Sequence, residues 1–319
     1  MAEQTIRAIQ VYEYGSPEQL KLEQIARPQP QAGEVLVRIC AAGVLPAECK
    51  MRQGLFRAYR PVEFPYIPGS AIAGVIEEVG PGVTEFRTGQ AVFGRTTKGA
   101  YAEYTTAAIE TLALKPDAIS FAEAATISGG ATVAWTALFE NAALQSGQRV
   151  LIHGAGGGVG LFAVQFARWR GTHVIGTAST RNIEFVRSLG AETVVDYTAT
   201  PFEEVVQAVD VVLDTIGGET LQRSMQVVKP GGVLVSLLEQ PSQEKAQEYG
   251  IRAINNSVTQ PFPSSNLLTT IAQLMAEGTV KTVVAREFSL DEARQAHELC
   301  QTGHGRGRIV LRIANDSKN

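Results

Sequence analysis

The sequence predicts an α/β chain in which a partly open β-barrel is joined to a doubly wound, parallel six-stranded sheet. Three observations carry that reading. The first 120 residues hold short strand-like runs separated by glycine and proline turns. Beyond Phe121, and as far as about Gly278, apolar strands alternate with amphipathic helices. A chain of 319 residues also exceeds what a single core usually fills, about 250–300 residues, so two domains are expected.

In the first region, strands are expected at 7–12, 34–41, 72–79 and 100–105. They are punctuated by Gly15-Ser16-Pro17, Pro28-Gln29-Pro30 and Gly80-Pro81-Gly82. In the second, short and almost continuously apolar strands are expected at 149–153, 173–177, 193–197, 210–214, 232–237 and 251–255. Helices are expected between them at 159–170, 181–189, 219–227 and 243–249. Strands of that character are buried on both faces, as in a parallel sheet. A final strand, helix and strand at 282–288, 291–302 and 308–313 is expected to rejoin the first domain. The expected division is therefore 1–122 with 279–319, and 123–278.

Composition excludes several classes. With 45% hydrophobic and 19% charged residues, 31 glycines and 14 prolines, the chain is neither disordered nor collagenous. Lys and Arg number 28 against 32 Asp and Glu, a net charge of −4, and no basic block is present, so nucleic acid is not an expected partner. No apolar run reaches the roughly 18 residues of a membrane helix, and MAEQTIRAIQ lacks the features of a signal peptide, so a cytoplasmic location is expected. Three cysteines (Cys40, Cys49, Cys300) without a CxxC pair argue against a disulfide framework or a zinc ribbon.

The strongest chemical signal is RVLIHGAGGGVGLFAVQFARWRG, residues 149–171. Val150, Leu151 and Ile152 form a buried strand. Ala155, Gly156, Gly157, Gly158, Val159 and Gly160 form a turn in which missing side chains let backbone N–H groups approach a pyrophosphate. The spacing Ala155-x-Gly157-x-x-Gly160 puts alanine at the usual first glycine. Placed between a strand and a helix, the motif points to a dinucleotide. The second strand ends Thr177-Ala178-Ser179-Thr180-Arg181, without the acid that holds the ribose hydroxyls of NAD. Ser179 and Arg181, with Tyr197 after the third strand, suit a 2′-phosphate, so NADPH is the expected cofactor. Ser179 or Thr180 also reads as a helix cap.

The chain resembles the zinc-independent quinone oxidoreductase branch of the medium-chain dehydrogenase/reductases, which includes zeta-crystallin-like enzymes and alkenal or enone reductases. The resemblance rests on AAGVLPAECKMRQG (41–54), FPYIPGSAIAGVIEEVGPGV (64–83), HGAGGGVGLFAVQFA (153–167), GTASTRNIEFVRSLGA (176–191), VDVVLDTIGG (209–218) and AHELCQTGHGRGRIVL (296–311). It implies a GroES-like barrel, a Rossmann domain and a homodimer. It further implies hydride transfer from NADPH to a hydrophobic quinone or to the β-carbon of an α,β-unsaturated carbonyl. Zinc-dependent relatives carry Gly-His-Glu where this chain has Gly69-Ser70-Ala71, so no metal is expected.

The chain departs from that family's pattern where the anion formed by hydride transfer must be stabilised. Leu45 stands where Asn is usual, Glu48 where an acid, often Asp, is found, Ala71 where Asp is common, and Val133, next to Thr132, where Thr is frequent. Lys50 and Tyr66 remain as candidate donors, and Leu45 and Phe56 as an apolar substrate wall. Lys50 also reads as a solvated lysine and Tyr66 as packing between prolines, while Arg52 reads equally as facing a carboxylate or thioester substrate. His153, His297 and Asp214 read as structural. His304 and Arg306 lie in a glycine-rich loop before the final strand, and Arg308, where that family commonly has lysine, reads as a surface or cofactor-facing group. The alternatives are an enoyl-thioester reductase of a biosynthetic pathway and a weakly catalytic NADPH-binding regulatory protein.

Overall fold

A computed structural model describes residues 4–256, 263–303 and 305–314. His304 lies outside the described residues. The chain divides into two compact units, residues 1–129 with 262–277 and 282–319, and residues 130–261 with 278–281.

In the first unit, β1 (Thr5–Gln10) and β2 (Lys21–Ala26) form an antiparallel pair. The long β3 (Glu34–Val44) pairs antiparallel with β4 (Ala71–Val79), which carries β5 (Ala91–Arg95). β6 (Tyr104–Ala108) pairs with β3, and β7 (Leu112–Leu114) with β5. Val35, Val37 and Ile39 of β3 share a core cluster with Ile72 and Ile76 of β4, at the period-two spacing of one strand face, and Leu36 between them is buried as well. The expected strand at 100–105 is displaced. Ala100 and Tyr101 are turn residues whose N–H groups both bond to Pro68 O, and the strand begins at Tyr104.

In the second unit, β8 (Arg149–Ile152), β9 (His173–Ala178), β10 (Thr193–Asp196), β11 (Val209–Asp214), β12 (Val228–Ser236) and β13 (Arg252–Asn255) form one parallel sheet. Its order is β10-β9-β8-β11-β12-β13. The series reverses direction beside β8, which makes the carboxyl end of β8 the topological switch point where dinucleotides bind. Burial is nearly complete along β8 and β11, as expected of central parallel strands.

β14 (Val284–Ser289) and β15 (Arg308–Arg312) complete the first unit's seven-stranded sheet, β15 lying against β3. The helix Ser265–Ala276 also groups with this unit and packs on β7. The expected boundary at 278 therefore differs from the observed division. The helix buries Leu268, Ile271, Ala272 and Met275 along one face, and so follows its apolar stripe rather than its place in the chain.

Candidate active site

β8 ends in a turn that runs into the helix Gly160–Trp169. The turn uses some of its N–H groups internally: Ala155 N–H bonds to Thr177 O at 3.1 Å and Gly157 N–H to Gly154 O at 2.9 Å. Ala155 is thereby removed from the expected set of ligand donors. The N–H groups of Gly156, Gly158 and Val159 have no acceptor among the described residues. The glycines serve different ends. A Cβ on Gly160 would sit 2.1 Å from Gly154 O and 2.8 Å from Ala155 Cα, so that glycine permits the helix to abut the strand. A Cβ on Gly157 would meet only Gly154 O at 3.2 Å and otherwise open space. The protein interior does not require glycine there, whereas a ligand lying against the turn would. The turn therefore fits a dinucleotide pyrophosphate.

Asp196, at the end of β10, was missed by the sequence reading because it lies on a different strand from the position where an acid was sought. Its register partner on β9 is Ala178. Oδ2 of Asp196 accepts from the Thr180 hydroxyl at 2.6 Å, and Oδ1 accepts from the Thr198 N–H and hydroxyl at 2.9 and 2.6 Å. The Thr180 hydroxyl, with that of Thr198, holds this carboxyl below the usual carboxylate range. Ser179 makes no side-chain cap, while Tyr197, which follows Asp196 in sequence, is 55% exposed.

His153 precedes the turn and is sealed in the core. Ser224 donates to Thr220 O, so His153 Nε2–H donates to Ser224 Oγ at 2.9 Å, and Nδ1 accepts from the Thr177 hydroxyl at 3.1 Å. Burial pushes its pKa down to about 3. Asp214 is likewise buried, accepting from the N–H groups of Ile216 and Gly217 and from Ser236. Both residues are structural, as expected.

The first unit holds a buried polar network anchored on Glu48. Oε1 of Glu48 accepts from Ser70 N–H at 2.8 Å and the Ser70 hydroxyl at 3.1 Å; Oε2 accepts from Leu45 N–H and the Tyr101 hydroxyl, each at 3.0 Å. Burial raises the Glu48 pKa against the opposing pull of these donors. Arg52 Nε–H donates to His297 Nδ1 at 3.3 Å, which leaves the proton on Nε2 to be donated to Tyr101 Oη at 3.1 Å. Burial and the Arg52 charge press the His297 pKa down to about 3, keeping the ring neutral. Arg52 is fully buried and also bonds Gly15 O, so it is a tie between chain segments and not a substrate-facing charge. Arg308, read as a surface or cofactor-facing group, is 4% exposed.

The candidate catalytic residues have unequal settings. Lys50 is half-buried on the helix Pro46–Arg52, next to Cys49 and two residues beyond Glu48. The Tyr66 hydroxyl is buried with no partner among the described residues, and burial raises its pKa. It therefore does not present the accessible donor expected of it. Leu45 is buried, its side chain lying over Gly129, where an added Cβ would come within 2.6 Å. Phe56 is half-buried with its ring 5.6 Å from that of Tyr59.

A doubly wound unit with a glycine turn at its switch point, in a chain that also carries a barrel-like unit, is that of a dinucleotide-binding protein. Comparison with known proteins narrows this. Residues 31–117 match the family described as alcohol dehydrogenase GroES-like domain, and residues 189–311 match zinc-binding dehydrogenase. Quinone oxidoreductase of Mus musculus is 34% identical, covering 96% of this chain and 97% of the mouse protein. A 2-methylene-furan-3-one reductase of Solanum lycopersicum is 33% identical over 94% of this chain and 77% of its own length. The structure of the quinone oxidoreductase from Coxiella burnetii superposes with a TM-score of 0.89 at 31% identity, covering 98% of this chain and all of that one. The chain belongs to the quinone oxidoreductase branch of the medium-chain dehydrogenase/reductases.

Zinc is implied by one family description, and the described residues do not fit it. No group of three His, Cys, Asp or Glu side chains among the described residues has the arrangement to hold a metal ion. Cys49 is buried, and Cys300 close to it raises its pKa. No described helix is long and apolar enough to cross a membrane.

Proposed function

We propose that the protein is an NADPH-dependent reductase that delivers hydride, without zinc, to a quinone or to the β-carbon of an α,β-unsaturated carbonyl. The observation that carries this reading is the turn after β8, where Gly156, Gly158 and Val159 offer N–H groups and Gly157 leaves room for a ligand. Those groups hold the pyrophosphate, and Arg181 and Tyr197 hold the 2′-phosphate. Asp196, kept ionised by the threonines its oxygens accept from, adds a negative charge that Arg181 has to offset in this arrangement. The bound cofactor supplies hydride.

The chain's own residues receive the substrate and manage the anion that hydride transfer leaves. Leu45 and Phe56 supply apolar surface to an electron-poor, greasy substrate. Lys50, whose ammonium is not sealed as the Tyr66 hydroxyl is, protonates the enolate or hydroquinone anion. The names of the mouse and tomato relatives, a quinone and a conjugated methylene-furanone reductase, support this acceptor class. Turnover should survive dialysis against a chelator, and deuterium from the nicotinamide ring should appear on the β-carbon of a reduced alkenal. Activity that is lost on chelation and restored by zinc would overturn the proposal.

A further inference from the structure

Cys49 and Cys300 lie on different helices that pack side by side in the first unit, Pro46–Arg52 and Ala293–Gln301. One turn along, Arg52 Nε donates to His297 Nδ1 at 3.3 Å, and Val44, just before the first helix, is the register partner of Ile309, shortly after the second, which sets Cys49 opposite Cys300. The residue number rises on one helix as it falls on the other, as in an antiparallel pair. Cys49 is 2% exposed, whereas Cys300 is only partly buried. The neighbouring thiols act on each other: Cys300 raises the pKa of Cys49, and Cys49 is the chief cause that lowers that of Cys300.

A cation supports the same assignment. Arg308 is buried, and its Nε and Nη2 have no acceptor among the described residues. Its charge favours the Cys300 thiolate, against the opposing effects of burial and Glu48. A partly buried cysteine whose thiolate is favoured by a second cysteine opposite it and by a buried guanidinium is the arrangement of an attacking and a resolving cysteine.

We propose that Cys300 and Cys49 form a dithiol site that is oxidised to a disulfide by hydrogen peroxide or a small organic hydroperoxide. The Cys300 thiolate attacks the peroxide: an S–O bond forms, the O–O bond breaks, and the leaving oxygen takes up the proton Cys300 released, as water or an alcohol. The Cys49 sulfur then attacks Cys300, the S–S bond forms, and the S–O bond breaks. Hydroxide leaves with the Cys49 proton as water. The pair loses two electrons and the peroxide gains them. The bond would pin the helix carrying Lys50 to the C-terminal helix.

The test treats the reduced, cofactor-free protein with hydrogen peroxide in slight excess and follows free thiols and non-reducing peptide masses. The expected result is loss of two thiols, a cross-linked peptide pair containing Cys49 and Cys300, and full reversal by dithiothreitol. Cys49→Ser should stop at a sulfenic acid on Cys300 that dimedone traps, and Cys300→Ser should abolish thiol loss while Cys40→Ser leaves it unchanged. Arg308→Lys should preserve the rate better than Arg308→Gln, which should slow it about tenfold. A disulfide that includes Cys40, or first adduct formation on Cys49, would overturn the proposal. So would two intact thiols at 49 and 300 in a folded protein after treatment.

Discussion

Replacing Gly157 and Gly160 separately by alanine distinguishes a turn built for a ligand from one built only for the fold. At Gly160 the new Cβ would lie 2.1 Å from Gly154 O and 2.8 Å from Ala155 Cα, both backbone atoms with no flexible end to move aside. Overpacking of that kind costs about 1–3 kcal/mol, so the Gly160→Ala protein should melt several degrees below wild type. At Gly157 the only neighbour is Gly154 O at 3.2 Å, which needs to give by a few tenths of an ångström. That cost is offset by about 0.4–1 kcal/mol from the stiffer unfolded chain, leaving the melting temperature close to wild type. The methyl nevertheless occupies the space a pyrophosphate would use. Losing one charge-assisted hydrogen bond, about 1.5–3 kcal/mol, should weaken NADPH binding roughly tenfold to a hundredfold. Thermal melts and fluorescence titration of NADPH read the two effects independently. Wild-type affinity in a folded Gly157→Ala protein would refute the assignment of the turn.

Arg181→Ala should raise KM for NADPH far more than for NADH; equal effects in steady-state kinetics with both cofactors would remove the 2′-phosphate assignment. Glu48→Gln places an amide NH2 among groups that only donate to Glu48. Leaving one of them unsatisfied should cost about 1–3 kcal/mol in urea unfolding, and an unchanged midpoint would contradict the network. His153 has a pKa of about 3 when folded against 6.5 for an ordinary imidazole. The unfolded chain therefore takes up a proton that the native state refuses, and this contribution to stability is lost as pH falls from 6.5 towards 3. His153→Gln should accordingly lose less stability over that window, by about 1.4 kcal/mol per pH unit at the steepest; parallel curves would place His153 in contact with solvent.

Much of the second unit was legible because its signals are local. Val150, Leu151 and Ile152 followed by glycines mark a buried strand and a ligand turn, and the alternation of strand and helix fixes the parallel sheet. The hidden features depend on register and burial between distant segments. Asp196 reaches the edge of β9 only through parallel pairing with Ala178. Tyr101 sits in a run that reads as strand, yet the Pro68 carbonyl holds it in a turn with its hydroxyl on Glu48. Arg308 follows glycines, as surface residues often do, but β15 lies between β14 and β3 and carries it inside. The packing of the helix that carries Cys49 on the helix that carries Cys300, tied by Arg52 and His297, joins residues from opposite ends of the chain, which spacing alone does not reveal.

The most direct test of the central claim is loss of the reduced nicotinamide absorbance with phenanthrenequinone and with a simple alkenal as acceptors, NADPH and NADH being run in parallel. The account predicts turnover of at least one acceptor, with NADPH preferred. A protein that binds NADPH tightly and reduces neither would contradict it.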